Sequence, residues 1–324
     1  MTTHLISVGL TLRDNLGSDP AAHLDGDHDD ALDALHELLP TLLPDSGDTA
    51  VHRERLRREL TPAGDAATAL EDQISRVRPE LWTSRASAEL ATFARHSDQR
   101  PAAPPKHAHL DKKDTVVLLT TDTVAGLRAG LWNALALTAG QRDRVRYLPH
   151  PEEADRHARG EVVIAAVPGL DAADDADMTR AMRHLGMLGR MLIDHIAGPG
   201  ADYVFHLSGG YKAAIPYLIG LAEGMRGLIH RDREVKREVK SVHAYVLHES
   251  NTSRLIRLPL RTLPYEVIRN ELADVDPDDT PTDGRGRRLL QPPAHRLLEG
   301  YAYEPDRRGW RLTPFGEGLL ALIH

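Results

Sequence analysis

The segment Tyr203-Val-Phe-His-Leu-Ser-Gly-Gly-Tyr-Lys-Ala-Ala-Ile-Pro-Tyr217 decides the fold, because it joins a strand, a glycine turn and the start of a helix. Residues 203–207 are rich in aromatic and branched side chains, which is typical of a buried parallel strand. Ser208 and the two glycines after it have so little side-chain bulk that their N–H groups can approach an anion. From Lys212 onward the pattern is helical, and the open N–H groups of a helix start point back towards the turn. Two interpretations follow: a phosphate site with Lys212 as its cation, or a turn that needs glycine only for tightness.

Composition limits the class of protein. The chain has 324 residues, a net charge of −8 and no cysteine. This length suffices for one large domain and a small one, and the lack of cysteine excludes disulfides, thiolate zinc sites and cysteine nucleophiles. Mild acidity argues against broad non-specific binding to nucleic acid. No apolar run approaches the roughly 18 residues of a membrane span, and the first residues lack the features of a signal peptide. We therefore expect a cytoplasmic protein without membrane contact.

Strands and helices alternate along most of the chain. Strands are predicted at residues 5–8, 114–123, 145–148, 162–167 and 203–207, followed by a hairpin over residues 241–248 and 254–259. This alternation predicts the α/β class with a doubly wound, mostly parallel Rossmann-like sheet, whose ligands bind at the carboxyl ends of the strands. Three predicted loops then share one rim of the sheet: residues 9–15, 120–123 and 208–212. A plain surface loop is the alternative for the first, and an N-cap role for Asp122 or Thr123 is the alternative for the second.

Residues from about 17 to 80 predict a helical insertion that opens with an acidic segment. His23, His28 and His36 lie among its carboxylates. No pair of them has the tight spacing of a metal-binding helix, so we interpret them as surface residues. We expect no metal and no cofactor.

The composition changes near Leu263, so the sequence predicts a first domain over residues 1–262 and a small second domain over residues 263–324. From Ala294 the pattern reads helix, hairpin and helix, with Thr313 capping the last helix, which is typical of a winged helix. From residue 285 onward there are seven arginines against four acidic residues, a local excess that is able to meet DNA. A dimerisation or packing module is the alternative.

Five segments of the chain, in this order, have counterparts in a known family. They are Ile-Ser-Val-Gly-Leu-Thr-Leu-Arg-Asp-Asn at residues 6–15, Ser-Ala-Glu at 87–89, residues 116–126, Val-Pro-Gly-Leu at 167–170 and His-Leu-Ser-Gly-Gly-Tyr-Lys at 206–212. Together they resemble the CARF (CRISPR-associated Rossmann fold) domain of type III CRISPR accessory proteins, over about residues 1–262. The resemblance implies a homodimer that binds a cyclic oligoadenylate second messenger, a tetra- or hexa-adenylate, across its two-fold axis in an antiviral response.

Some members of that family, the ring nucleases, cut the messenger without a metal. The ribose 2′-hydroxyl attacks the adjacent phosphodiester and leaves a 2′,3′-cyclic phosphate, so the protein has only to align the substrate and stabilise charge. The resemblance implies catalytic roles for Lys212, which would stabilise the phosphorane, and for Thr11, which corresponds to a first-loop hydroxyl that is usually Ser. This chain departs from the family at Leu10, where Thr is usual, and at His206, where Asn is usual. His206 is either a hydrogen-bonded structural residue or an acid or base.

With this resemblance, the predicted ligand-binding residues fall in the three loops. They are Gly9, Leu10, Arg13, Asn15, Thr120, Thr121, Asp122, Thr123, His206, Ser208, Gly209, Gly210 and Tyr211. The leading hypothesis is a cyclic oligoadenylate phosphodiesterase. The alternative is a cyclic-oligoadenylate-responsive DNA-binding transcriptional regulator, or a sensor subunit, acting through the C-terminal winged helix.

Overall fold

Seven strands form one sheet in the order β3-β4-β2-β1-β5-β6-β7, and a separate three-stranded sheet has the order β8-β10-β9. The computed structural model describes residues 1–25, 33, 48–60, 74–97, 106–171, 174–197, 200–236, 241–248, 251–279 and 286–324. The strands are β1 (Thr2–Ser7), β2 (Thr115–Thr121), β3 (Val145–Leu148), β4 (Val162–Val167), β5 (Asp202–His206), β6 (Val242–His248), β7 (Asn251–Leu258), β8 (Arg288–Leu289), β9 (Tyr303–Asp306) and β10 (Gly309–Leu312). In the large sheet every neighbouring pair is parallel except β6 and β7. The predicted α/β class, the mostly parallel sheet and the hairpin at its edge are confirmed.

The centre of the sheet follows from its apolar sequence. In β2 and β4, Val, Leu, Ile and Ala follow one another without alternation, and the side chains of both strands are buried almost throughout. Such continuous runs are expected where helices cover both faces of a parallel sheet. The parallel register pairs Val116 with Val162 and Thr121 with Val167. The carboxyl ends of these strands therefore lie at one rim.

Helices cover both faces of the large sheet. They are α1 (Thr11–Ser18), α2 (Pro20–His23), α3 (Thr49–Glu59), α4 (Ala88–Ser97), α5 (Val124–Leu137), α6 (Asp175–Met191), α7 (Ile215–Lys236), α8 (Tyr265–Glu271) and α9 (Pro314–Ile323). The apolar residues of α1, α3, α4 and α5 form one cluster with the sheet, and those of α6 to α9 form another. The arrangement is compatible with a Rossmann-like fold.

The predicted helical insertion is seen in part. Leu56 of its helix α3 and Leu60, the residue after the helix, pack into the apolar cluster on the α5 side of the sheet. Most of the remaining insertion, including His28 and His36, lies outside the described residues. Where the chain is described, no helix is long and apolar enough to cross a membrane.

The C-terminal region keeps the predicted hairpin and last helix, but the helix predicted from Ala294 is wrong. The hairpin is β9 with β10, and Thr313 caps α9 by accepting a hydrogen bond from the N–H of Gly316 at 3.1 Å. Residues 294–300 form turns instead of a helix. The buried carboxylate of Glu271 explains this, because it accepts hydrogen bonds from the backbone N–H groups of His295 and Leu297, each at 3.1 Å. Within residues 286–324 no helix precedes the hairpin, so a winged-helix domain is not confirmed.

Three of the seven arginines of the same region contribute to the fold. Each pairs with a carboxylate: Arg287 with Glu317, Arg288 with Asp279, and Arg311 with Asp306. The Glu317 side chain is 3% exposed, so its ion pair with Arg287 is largely buried and joins α9 to the residue just before β8. Only Asp279 lies outside residues 285–324, so these pairs reduce the charge excess of that segment by one.

Candidate functional site

The loops after β1 and β5 meet at the rim of the sheet. The two strands are parallel neighbours, with Ile6 opposite His206. A Cβ added at Gly9 would lie 2.9 Å from the N atom of Gly210, and a Cβ added at Gly210 would overlap the Ser7 hydroxyl. Gly210 also has a φ of +83°, which favours glycine. Two of the three predicted loops thus touch through their backbones. We call this approach of Gly9 to Gly210 the glycine contact.

The predicted loop over residues 9–15 is shorter than expected, because α1 already begins at Thr11. Leu10 is the residue before the helix and forms no side-chain cap. Across the glycine contact, Lys212 begins a short 3-10 turn, Lys212–Ala214, that continues into α7. Two helical starts therefore lie on either side of the glycine contact, and the partial positive charge of such starts favours an anion.

The side chains nearest the glycine contact face solvent. Thr11 and Lys212 are both exposed, and within the described chain the ammonium group of Lys212 has no protein partner. Two large apolar side chains flank the contact, with Leu10 42% exposed and Tyr211 41% exposed. The rim thus offers an unpaired cation and two apolar surfaces within a few residues of one another, while the Thr11 hydroxyl also interacts with the Glu89 carboxyl group.

A buried carboxylate that the sequence analysis gave no role supports the glycine contact from below. Glu89, in the first turn of α4, is 1% exposed, and its Oε1 accepts a hydrogen bond from the N–H of Gly9 at 2.6 Å. A Cβ added at Gly209 would overlap the same carboxylate and lie 2.7 Å from the carbonyl oxygen of Ser7. Burial raises the pKa of Glu89, while the Gly9 N–H and the nearby hydroxyls of Ser87 and Thr11 act in the opposite direction. Glu89 thus joins α4 to both loops.

We expect Glu89→Gln to show how this carboxyl group titrates. Because its pKa in the folded chain is raised, its contribution to stability is fully present below the ordinary value of 4.5 and is lost as pH rises through the folded-state pKa. Glutamine keeps an oxygen for the Gly9 N–H and does not titrate. The variant should therefore gain stability relative to the unmodified chain as pH rises from 4 to 8, measured by urea unfolding. Glu54→Gln, at an exposed position, controls for the lost charge, and a pH-independent difference at Glu89 would contradict the expectation.

In the loop after β2, the threonine side chains serve the fold. The hydroxyls of Thr121 and Thr123 lie 2.8 Å apart, and Thr123 caps α5 by accepting from the N–H of Gly126 at 3.1 Å. Of the two roles left open for Thr123, the N-cap is the one that the structure shows. A hydroxyl that accepts this bond still has its own proton to donate.

The other two predicted residues of that loop are also engaged. Thr120 is fully buried in β2, with its hydroxyl 3.5 Å from the carbonyl oxygen of Ala165. Asp122 forms an ion pair with Arg53 of α3, which brings the insertion to the same rim. The structure therefore does not bring Thr120 to the open surface.

Two further predicted residues hold the loops in place. The hydroxyl of Ser208 accepts a hydrogen bond from the backbone N–H of Leu247 in β6 at 2.7 Å. The amide of Asn15 donates to the carbonyl oxygen of Ala86, at 3.0 Å, in the segment before α4. The side chain of Arg13 lies outside what the structure describes. Both assigned contacts shape the rim rather than face outward from it.

His206 lies below the rim and not on it. It is 1% exposed, and its Nε2 is 2.9 Å from the Nδ1 of His4. Burial lowers the pKa of His206 well below 6.5, and the neighbouring rings of His4 and His96 act in the same direction. The structural interpretation of His206 therefore fits its surroundings, and a proton-transfer role at the rim does not.

No model of a known protein family matches the chain, and comparison with curated proteins gives no match either.

Two cavities of the described chain lie away from the glycine contact. One, of about 300 Å³, is lined by Arg226 and His243 among others, and one, of about 680 Å³, lies between Tyr217 and the C-terminal hairpin. We nonetheless place the candidate site at the glycine contact. Among the described residues, this is where two helical starts lie beside an unpaired lysine, Lys212.

Proposed function

We propose that this chain is a CARF-type protein of a type III CRISPR response that binds a cyclic oligoadenylate and cleaves it. The observation that carries the proposal is the glycine contact, which sets the start of α1 beside the turn that bears Lys212. A polyanionic ring needs N–H groups and a cation on one surface, and this rim has both.

The exposed side chains fit the remaining chemistry of such a ligand. Adenine bases stack on aromatic and apolar surfaces, and each such contact is typically worth about 1–3 kcal/mol. Tyr211 and Leu10 are exposed on either side of the glycine contact. Exposure of large apolar side chains to water costs free energy, and a bound base would cover them. We assign Lys212 to a phosphate and Tyr211 to a base.

The proposed assembly is a homodimer. In one chain the rim is an open surface, which suits a broad ring better than a closed pocket would. A two-fold axis through the ring would give each half the same set of groups, since symmetric partners present identical surfaces. A cyclic tetra- or hexa-adenylate has the matching even number of repeats.

In the proposed reaction the substrate supplies the nucleophile. The ribose 2′-oxygen forms a bond to the adjacent phosphorus and its proton is released to solvent. The bond from phosphorus to the 5′-oxygen breaks and that oxygen takes up a proton from solvent, which leaves a 2′,3′-cyclic phosphate and a 5′-hydroxyl. Lys212 would stabilise the charge on the phosphorane, and the Thr11 hydroxyl would orient the phosphate. Both residues are exposed at the rim.

The test of this proposal is incubation of the purified full chain with cyclic tetra-adenylate and cyclic hexa-adenylate in EDTA, followed by chromatography of the products. We expect linear oligoadenylates ending in a 2′,3′-cyclic phosphate. Binding measured by calorimetry without conversion would remove the enzymatic part and leave a sensor. Neither binding nor conversion with any ring would overturn the proposal.

The alternative of a DNA-binding regulator gains no support from the C-terminal region. A winged helix reads DNA through the helix before its hairpin, and residues 294–300 are turns held by Glu271. Its exposed arginines at the hairpin tip, Arg307 and Arg308, are two residues of one turn.

A further inference from the structure

Three histidines from three separate elements meet on one face of the large sheet. His4 lies in β1, His206 in β5 and His96 in α4, and one ring nitrogen from each lies within 4.8 Å of the others. The ring centroids form a nearly equilateral triangle, with distances of 5.4 Å for His4 and His96, 5.2 Å for His4 and His206, and 5.5 Å for His96 and His206. We call these three residues the histidine triangle.

The ring nitrogens of these residues are suited to bind a metal. A neutral imidazole nitrogen is the usual histidine ligand of a transition metal. His206 and His4 share one hydrogen bond, and the second nitrogen of His206, Nδ1, is buried without a partner.

We propose that His4, His96 and His206 bind one divalent transition-metal ion of the zinc class. Zinc bound to imidazole has Zn–N distances of about 2.0–2.1 Å, which separates two ligand nitrogens by roughly 3.4 Å in a tetrahedral site. The nitrogens of His4 and His206 lie 2.9 Å apart and all three ligand nitrogens lie within 4.8 Å of one another, so this separation falls within the observed range, and zinc would replace the hydrogen bond between His4 and His206. Three imidazoles leave a fourth position for water. This revises the expectation of a protein without metal.

The position of the histidine triangle suggests a structural role that does not depend on the proposed function. Its three elements are the ones whose rim ends carry Gly9, Gly210 and Glu89. His96 lies seven residues after Glu89, which is about two helical turns. A metal would thus fasten β1, β5 and α4 together below the rim, and His96, the only half-buried member, is the side from which an ion could enter.

The experiment uses the full chain, purified without a polyhistidine tag and stripped with a chelator. We expect it to take up one Zn²⁺ per chain, to show the visible absorption of tetrahedral Co²⁺, and to unfold at a higher temperature with Zn²⁺ than with EDTA. His96→Gln should weaken Zn²⁺ binding at least 10-fold. The control is His184→Gln, since His184 is also buried, with a pKa lowered to about 4, but lies outside the histidine triangle.

Two results would overturn the proposal. One is no Zn²⁺ or Co²⁺ uptake by the unmodified chain, which would leave a hydrogen-bonded pair of histidines packed against a third. The other is equal loss of binding in His96→Gln and His184→Gln, which would place the ion elsewhere. If His96→Gln fails to fold, the shift in unfolding temperature between Zn²⁺ and EDTA still decides, because that measurement uses the unmodified chain.

Discussion

Lys212→Ala is expected to weaken the binding of cyclic tetra-adenylate by about 10- to 100-fold and to lower its cleavage at least as much. A charge-assisted hydrogen bond is worth about 1.5–3 kcal/mol, and each 1.4 kcal/mol is a factor of about ten in affinity. Lys212 is exposed and has no partner within the described chain, so its loss should leave the fold intact. Calorimetry gives the affinity, and single-turnover assays give the rate.

Lys112→Ala is the matched control for that experiment. Lys112 is also exposed, but it precedes β2 and so lies at the opposite edge of the sheet. The two variants lose the same charge, and only the one at the rim should lose affinity. Equal effects of the two substitutions, or none at Lys212, would remove Lys212 from the site.

The parts of the fold that the sequence predicts are those that neighbouring residues determine. The apolar runs of β2 and β4 are continuous, and a continuous run of this length is typical of a buried parallel strand. Thr123 and Thr313 each precede a helix and accept a hydrogen bond from the N–H of its third residue. Threonine is a common residue in this position, so both helix starts are visible in the sequence as well. Strand ends differ from the predicted ones by a few residues, as helix and strand ends generally do.

What the sequence could not predict depends on partners far along the chain. Glu89 accepts from the N–H of Gly9, eighty positions away. The backbone of residues 294–300 turns around Glu271 instead of forming a helix, because that carboxylate binds two of its N–H groups. The histidine triangle joins positions 4, 96 and 206, and no spacing within one segment points to it. Each of these depends on the tertiary fold.

The candidate site divides into groups that build the rim and groups that are left to face a ligand. Ser208, Asn15 and Thr123 each use a side-chain group for a hydrogen bond within the chain. The sequence placed them with the ligand because hydroxyl and amide groups suit either role. Lys212 and Tyr211 remain exposed, and no described contact occupies them. Under the proposed function, ligand selectivity would therefore depend on few side chains and mainly on backbone geometry.

That dependence on backbone makes Gly210→Ala the most informative substitution in the scaffold. Alanine at a φ of +83° costs about 1–2 kcal/mol, and the added Cβ also overlaps the Ser7 hydroxyl, which adds about 1–3 kcal/mol. We expect a loss of about 2–5 kcal/mol in the free energy of unfolding, measured in urea. Affinity for the cyclic oligoadenylate should fall more than 10-fold even where the variant is fully folded, because moving Gly210 away from Gly9 separates the two helical starts.

Gly300→Ala separates the cost of the positive φ from the cost of the overlap with Ser7. Gly300 has a φ of +72° with no atom within 4 Å of an added Cβ, so this variant carries the backbone cost alone, about 1–2 kcal/mol, and should bind the ligand normally. The difference between the two variants in lost unfolding free energy then measures the cost of the overlap with Ser7. Equal losses of stability would show that Ser7 yields without cost. Unchanged affinity in folded Gly210→Ala would show that the ligand does not require the glycine contact, and with it the argument that places phosphates there would fail.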